Sequence, residues 1–303
     1  MNFHGVETFL AIAETGSISL AAEKLFLSQT TAGYRLKSLE DDLGIILVNR
    51  KKGQRTIELT PKGSDFVIIA NRWMALWKDT QNLIKQENSL NLTIGCVDSL
   101  NTYIFPPLYK QILQHDPPVI FKVNTFHSME IHDLLENRMI DIGYVFSHKQ
   151  HSNIISKVVY KEPMCVITRG DSIYTGQTIN PNQLDTSNEI FLSWGTDYQR
   201  WHDSVWAPHL KHYIHVNTAS MIFRYFDSDK TWAIAPLSVI NTFKVNNDVK
   251  VYTIEDDVPI HTCYQITHQF PRPSHVAAIS LFESLLKEFL LANENFREIN
   301  VQY

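Results

Sequence analysis

The chain has 303 residues, 44% of them hydrophobic and 19% charged, with a net charge of −5. Such a chain holds two or three domains whose cores need neither disulfides nor metal. Three cysteines, Cys96, Cys165 and Cys263, stand far apart with no CxxC spacing, which argues for a reducing compartment and buried strand thiols. The opening MNFHGVETFL lacks a basic flank and a signal-length apolar core, and no apolar run approaches a membrane span. A cytoplasmic protein with no membrane partner is therefore expected.

The charge is unevenly spread. Residues 1–62 carry eight Lys/Arg against seven Asp/Glu, and 63–303 carry nineteen against twenty-five. Arg50, Lys51, Lys52 and Arg55 fall within six positions; a local cluster outweighs the sum, because phosphate attraction is screened over about 10 Å. Phe3, Val6, Phe9, Leu10 and Ala13 recur at three and four, one face of a helix that Gly16 ends with a left-handed cap. Ser17 or Ser19 caps a second helix carrying Leu20, Ala21, Ala22 and Leu25, whose alanines let two backbones approach. Ser28 caps a third, with Ala32, Leu36, Leu39 and Leu43 inward and Gly44 at its end. Its outward face holds Gln29, Thr30, Thr31, Tyr34, Arg35 and Ser38, hydrogen-bonding side chains near the front, where a recognition helix meets base edges. Leu47 and Val48 lead into NRKKGQRTIEL, a glycine in a basic loop between two strand-like runs. That pattern predicts a β-wing whose Arg50, Lys51, Lys52 and Arg55 lie along a phosphate backbone. Double-stranded DNA is the expected partner. A helical hairpin with a solvated charged face is the plainer alternative, and the ordered sequence of helix pair, turn, cap and wing argues against it.

The stretch FLAIAETGSISLAAEKLFLSQTTAGYRLKSLEDDLGIILVNRKKGQRTIELTPKG resembles the winged helix-turn-helix of LysR-type transcriptional regulators. The features that match are FLAIAETGS, AAEKL, LSQ, LE..LG, NR and LTPKG. Three positions depart from that family: Thr30 where proline or serine is common, Gly33 where serine is common, and Val48 where phenylalanine is common. These departures bear on the operator sequence rather than on DNA binding. A mid-helix Gly33 costs about 1 kcal/mol relative to alanine and would let a backbone approach DNA closely.

Thr60 and Pro61 are suited to cap and open a long helix running to about Gln86. Phe66, Ile69, Ala70, Trp73, Leu76, Trp77, Leu83 and Ile84 form an apolar stripe of near-heptad spacing. The resemblance implies a linker helix that pairs antiparallel with its copy in a dimer, and a two-fold symmetric protein reads inverted repeats. Packing against the rest of the same chain is the alternative. KQENSLN, Lys85 to Asn91, is the best domain boundary.

From Asn91, strands alternate with helices: NLTIGCV, a helix containing Pro106 to His115, VIFKVNTF, the helix SMEIHDLLENRM, then DIGYVF. This rhythm argues for a parallel sheet. A second unit follows with VITRG, EIFLSWG, a helix after Asp197, YIHVN, the helix SMIFRYF and WAIAPLSVI. HTCYQITH would return to the first unit, and a last helix spans about Ser274 to Asn293. Two α/β lobes joined by two crossovers resemble the type 2 periplasmic-binding-protein fold, the effector domain of LysR-type regulators; RMIDIGYVF and WAIAPLSVI are the clearest pieces. The expected fold class is α/β: an N-terminal winged helix-turn-helix over 1–60, a linker and dimerisation helix over 61–88, and a two-lobed α/β effector-binding domain over 89–303. Lobe I takes about 91–162 and 268–303, and lobe II about 163–267.

In such a fold a ligand sits between the lobes, at strand C-terminal ends and helix N-termini, where exposed N–H groups favour anions. By position the candidates are Ser99, Leu100 and Asn101, then Phe126, His127 and Ser128, in the first lobe. The other lobe offers Trp194, Thr196, Tyr198, Thr218, Ala235 and Pro236. The resemblance implies that Ser99 and Ser128 hold a carboxylate or other polar effector. Phe126 stands where glycine is frequent and would bias the cleft toward a smaller or aromatic ligand. The plainer reading makes the serines helix caps and the tryptophan core.

Among thirteen histidines, the pairs His148 and His151, or His209 and His212, have ligand-like spacing. No cysteine or carboxylate completes a recognisable site, so they read as exposed loop histidines, and neither metal nor cofactor is expected. Cys165 and Cys263 could form a redox pair on neighbouring crossover strands, but buried strand cysteines are more often inert. No GxSxG, glycine-rich phosphate loop or HExxH occurs, and an enzyme is not expected. The expectation is a transcription regulator acting as a homodimer or homotetramer, with DNA, a second copy, a small-molecule effector and RNA polymerase as partners. The alternative is a small-molecule-binding, solute-binding-like protein whose front domain serves another partner.

Overall fold

The structure, a computed structural model, describes residues 2–49, 57–85, 90–116, 118–149, 152–207, 209, 211–245, 248–297 and 299–302, without the side chains of 78–79 and 82–85. The chain divides into two compact units, Met1–Glu87 with Asn137–Met139, and Asn88–Glu136 with Ile140–Tyr303.

The first unit contains α1 (Phe3–Thr15), α2 (Ile18–Lys24), α3 (Gln29–Leu43), β1 (Val48–Asn49), β2 (Glu58–Leu59) and α4 (Pro61–Lys85). Helices this short are marginal alone, so their ends and their packing decide them. The side chains of Asn2, Ser17 and Ser28 accept hydrogen bonds from Gly5, Leu20 and Thr31 N–H respectively, which satisfies otherwise orphaned donors. Ser17 rather than Ser19 is thus the cap of α2. Gly16 and Gly44 close α1 and α3 at φ 64° and 66°, the left-handed conformation that glycine adopts without a Cβ clash. Val6, Phe9, Ala21, Ala32, Leu36, Leu39 and Leu47 are fully buried between the helices, whereas Leu20 is half exposed.

Glu40 joins α3 to the wing: its carboxylate accepts from Leu47 N–H at 2.8 Å and Val48 N–H at 3.2 Å. β1 and β2 pair antiparallel, Val48 opposite Leu59. The Thr60 hydroxyl donates to Ile46 C=O at 2.8 Å and accepts from Gly63 N–H at 2.9 Å. A Cβ on Gly63 would lie 2.0 Å from the Leu47 carbonyl oxygen, so the LTPKG glycine permits α4 to lie against that backbone. The apolar stripe of α4 then splits. Phe66 and Ala70 are buried, while Ile69 and Leu76 are more than half exposed. Trp73 and Trp77 stack at 5.8 Å, and Trp77 meets Phe3 at 5.6 Å. The side chains of Leu83 and Ile84 lie outside the described residues.

The second unit runs β3 (Leu90–Cys96), a π-helical turn (Leu100–Ile104), α5 (Pro106–Ile112), β4 (Val119–Thr125), α6 (Ser128–Glu136), β5 (Ile142–Val145) and β6 (Ile154–Glu162). The chain then crosses into β7 (Met164–Arg169), β8 (Thr178–Ile179), β9 (Ile190–Phe191), α7 (Thr196–Val205), β10 (Ile214–His215), α8 (Ala219–Ile222), β11 (Trp232–Pro236), α9 (Leu237–Lys244) and β12 (Val249–Ile254). It returns through β13 (His261–His268), α10 (Val276–Ala292) and β14 (Asn300–Val301). The first lobe's sheet has the order β14-β6-β13-β5-β3-β4. β3 is parallel to β4 and β5, but β13 runs antiparallel to both β5 and β6. The second lobe orders β11-β7-β12-β8, beside the parallel pair β10-β9.

The sheets are therefore mixed, not wholly parallel as the βαβ rhythm predicts. Two segments link the lobes, β6 into β7 and β12 into β13, and the linked strands pair antiparallel within each sheet, β6 with β13 and β7 with β12, an arrangement that needs no crossover helix. All three cysteines are buried, and burial raises the Cys96 and Cys263 thiols well above their usual range. Such thiols keep their protons and react poorly. Among the described residues no helix is long and apolar enough to cross a membrane.

Candidate functional site

Two faces are candidates for recognition. The first lies on α3. Ala32, Leu36 and Leu39 anchor it in the core, and Gln29, Thr30, Thr31 and Tyr34 are exposed, Tyr34 by 73%. Thr31 sits within the cap, its hydroxyl 2.8 Å from that of Ser28. Arg35 and Ser38 are half-buried, and the Arg35 guanidinium lies 4.0 Å from the Glu7 carboxylate, which holds it against α1. Phe26, in the turn before α3, has φ 56° and is 96% exposed. Sequence patterning did not single it out, because backbone strain leaves no periodic trace. Arg50, Lys51, Lys52 and Arg55 lie outside the described residues.

The second face is a cleft of about 520 Å³ between the two α/β lobes. It opens at the C-terminal ends of the parallel strands β3, β4 and β5 and of β9 and β10, the usual ligand position in α/β sheets. Ser99, Phe126, His127 and Ser128 line it from one lobe, and Trp194, Thr196 and Thr218 from the other. Trp194 is locked by its indole N–H donating to Ile234 C=O at 2.8 Å. The Ser128 hydroxyl accepts from Phe146 N–H at 3.3 Å. Lining residues that sequence patterning did not mark include Asp98, Glu130, Ser147, Ser193 and Asn217. Asp98 Oδ2 and Ser147 Oγ are buried without a hydrogen-bond partner, so each is available to a bound molecule. The carboxylates of Asp98 and Glu130 temper the anion preference that helix N-termini alone suggest. A second cavity of about 360 Å³ adjoins through Phe146, Trp194 and Thr196, and is walled by Tyr198, Arg200 and His261.

Five expected positions fall elsewhere. Leu100 is fully buried in the π-helical turn. Asn101 donates to Thr125 Oγ1 at 2.9 Å and accepts from Tyr109 OH at 2.6 Å, within one lobe. Tyr198 is 4% exposed, packed on Phe191 in the second lobe's core, and reaches only the adjoining cavity. Ala235 and Pro236 are buried because the crossover segments fill the end of β11. There Leu237 N–H donates to Pro163 C=O at 3.1 Å, and Ser238 N–H to the Glu162 carboxylate at 2.7 Å. Of the histidines, His148 and His209 are exposed and His151 lies outside the described residues. His212 is no loose loop residue: its Nδ1 is 2.8 Å from the buried carboxylate of Glu189.

Comparison with known proteins gives a consistent answer. Residues 3–64 match the family described as "Bacterial regulatory helix-turn-helix protein, lysR family", and residues 85–289 match "LysR substrate binding domain". Among curated relatives, a probable RuBisCO transcriptional regulator of Phaeodactylum tricornutum is 27% identical over 202 residues, 64% of this chain and 65% of that protein. The HTH-type transcriptional regulator CitR of Bacillus subtilis is 26% identical over 193 residues, 63% of this chain and 64% of that protein. The chain thus spans slightly under two thirds of these relatives. A full-length OxyR variant from Pseudomonas aeruginosa has the same fold, with a TM-score of 0.70 at 20% identity, covering 100% of this chain and 99% of that one. With both matches in chain order and the second covering most of the sequence, the chain belongs to the LysR-type transcriptional regulator family.

Proposed function

We propose that this chain is a sequence-specific DNA-binding transcriptional regulator controlled by a small molecule bound between the two α/β lobes. Residues 1–60 read DNA, 61–88 pair two copies and 89–303 bind the effector. The observation that carries this reading is α3, fully buried along one face at Ala32, Leu36 and Leu39 and polar and exposed at its N-terminal end. A helix held this way is suited to enter the major groove. Gln29, Thr30, Thr31, Tyr34, Arg35 and Ser38 contact base edges or adjacent phosphates, and Arg50, Lys51, Lys52 and Arg55 hold the phosphate backbone. Exposed Ile69 and Leu76 on α4 give a second copy an apolar seam, and the two recognition helices then meet an inverted repeat.

The effector bridges Ser99 and Ser128 on one lobe to Thr196 and Thr218 on the other. Partnerless Asp98 Oδ2 and Ser147 Oγ call for a ligand with at least one N–H or O–H donor, and Phe126 and Trp194 suit a flat apolar body. Such a ligand acts by binding one lobe arrangement better than the other. The shift changes the spacing of the paired front units, and with it DNA bend and contact with RNA polymerase. Selection of bound sequences from a random DNA pool tests the reading. It should return an inverted repeat; a pool that stays unenriched with folded protein would favour a ligand-binding protein whose front unit serves another partner.

A further inference from the structure

We propose that Glu189, His202 and His212 hold a divalent transition-metal cation of the zinc class in the second lobe. His202 Nε2 lies 3.0 and 3.1 Å from the two carboxylate oxygens of Glu189, and His212 Nδ1 lies 2.8 Å from one of them. One ligand atom from each residue falls within 4.8 Å of the others. The residues come from three places in the chain: Glu189 just before β9, His202 in α7 and His212 just before β10.

The charge balance of the site points to a cation. The Glu189 side chain is 1% exposed and that of His202 3%. A carboxylate so far from water needs compensation. Two imidazole N–H donors leave part of its acceptor capacity unused. Its backbone is held on both sides, Glu189 N–H donating to Thr186 C=O and Glu189 C=O accepting from Ile214 N–H, which keeps the side chain's attachment point in place. Phe191 stacks on His212 at 4.5 Å and Trp206 lies 4.8 Å from His202, which fixes both rings.

The donor set selects the ion. Two imidazoles and one carboxylate suit zinc, nickel or cobalt, whereas calcium and magnesium take oxygen donors. Tetrahedral zinc with bonds near 2.0–2.1 Å separates its ligands by about 3.3 Å. The two histidine–carboxylate separations, 2.8–3.1 Å, need to grow by only a few tenths of an ångström, and all three ligand atoms already lie within 4.8 Å of one another. Three protein ligands leave a fourth position for water, and the His212 side chain, 24% exposed, gives the ion a way in. α7 starts at the effector cleft with Thr196 and carries His202 less than two turns further on. An ion at His202 therefore stiffens a wall of the cleft.

The test is zinc titration of the full chain against a competing chromogenic chelator, with cobalt absorption as a second readout. The expected result is one zinc per chain, tetrahedral cobalt bands and a raised thermal midpoint. His212→Ala should weaken binding by roughly tenfold or more, and His148→Ala, at an exposed histidine of the other lobe, should not. Glu189→Gln keeps the shape while removing the anionic ligand, and should also lose the ion; should it fail to fold, the partly exposed His212 decides alone. No zinc bound by the folded wild type, or equal affinity in wild type and His212→Ala, would overturn the assignment.

Discussion

The two candidate recognition faces are assembled in different ways. Every candidate DNA contact within the described residues lies between Gln29 and Ser38, on one helix whose cap, core face and exposed face recur with a single period. The candidate effector cleft draws on residues 97–99, 125–130, 146–147, 192–196 and 217–219, brought together only by two sheets. A site carried by one element is specified by local spacing. A site at the ends of several strands depends on which strand ends stay open, and that is decided by chains crossing elsewhere.

If the first face depends on one anchored helix, removing the anchor should have the largest effect. Leu36→Ala leaves a cavity in a small core and should cost about 2–5 kcal/mol of first-unit stability. Calorimetry should show a separate early transition, with the second unit's transition unmoved. One shifted transition for the whole chain would mean that the two compact units unfold together and that the first face does not rest on its own anchored core.

Next in size is Arg35→Ala, expected to weaken specific DNA binding by about 1–3 kcal/mol if the guanidinium reads a base. Affinity on cognate and mutated operators separates this from a phosphate contact, which would weaken both equally. Removing the Ser128 hydroxyl has a smaller expected effect. Ser128→Ala should lower effector affinity by about 0.5–1.5 kcal/mol with basal DNA binding intact, as read by calorimetric titration once a ligand is in hand. An unchanged response would move the pocket toward the adjoining cavity. Smallest is Gly33→Ala. Nothing lies within 4 Å of the added Cβ, so the helix should gain about 0.8–1.0 kcal/mol. A rise in thermal midpoint together with weaker DNA binding would mark Gly33 as a point of close approach to DNA.

The same contrast accounts for what sequence patterning could reach. Ser28, Gly16, Gly44 and Thr60 announce helix ends through local chemistry, and the structure has those ends. Glu40 and Gly63 are visible as motif letters. Their physical reasons, two wing amides and a 2.0 Å approach to Leu47, appear only once α3, β1 and α4 are packed. In the cleft, Ser99, Phe126, Ser128 and Trp194 follow from strand-to-helix turns. Ala235 and Pro236 follow the same rule and fail, because Pro163 and Glu162 from the crossover occupy their turn. Asp98 and Ser147 carry no periodic signal. His212 reads as a loop histidine until Glu189, twenty-three positions earlier, is folded beside it.

The most direct test of the DNA-reading account is a footprint of the full chain on the DNA upstream of its own gene, at about 50 and about 200 mM salt. The account predicts protection over an inverted repeat that weakens steeply between the two, as counterions released from phosphates would require. No protection at either concentration by folded protein, or protection without symmetry and without salt dependence, would contradict it.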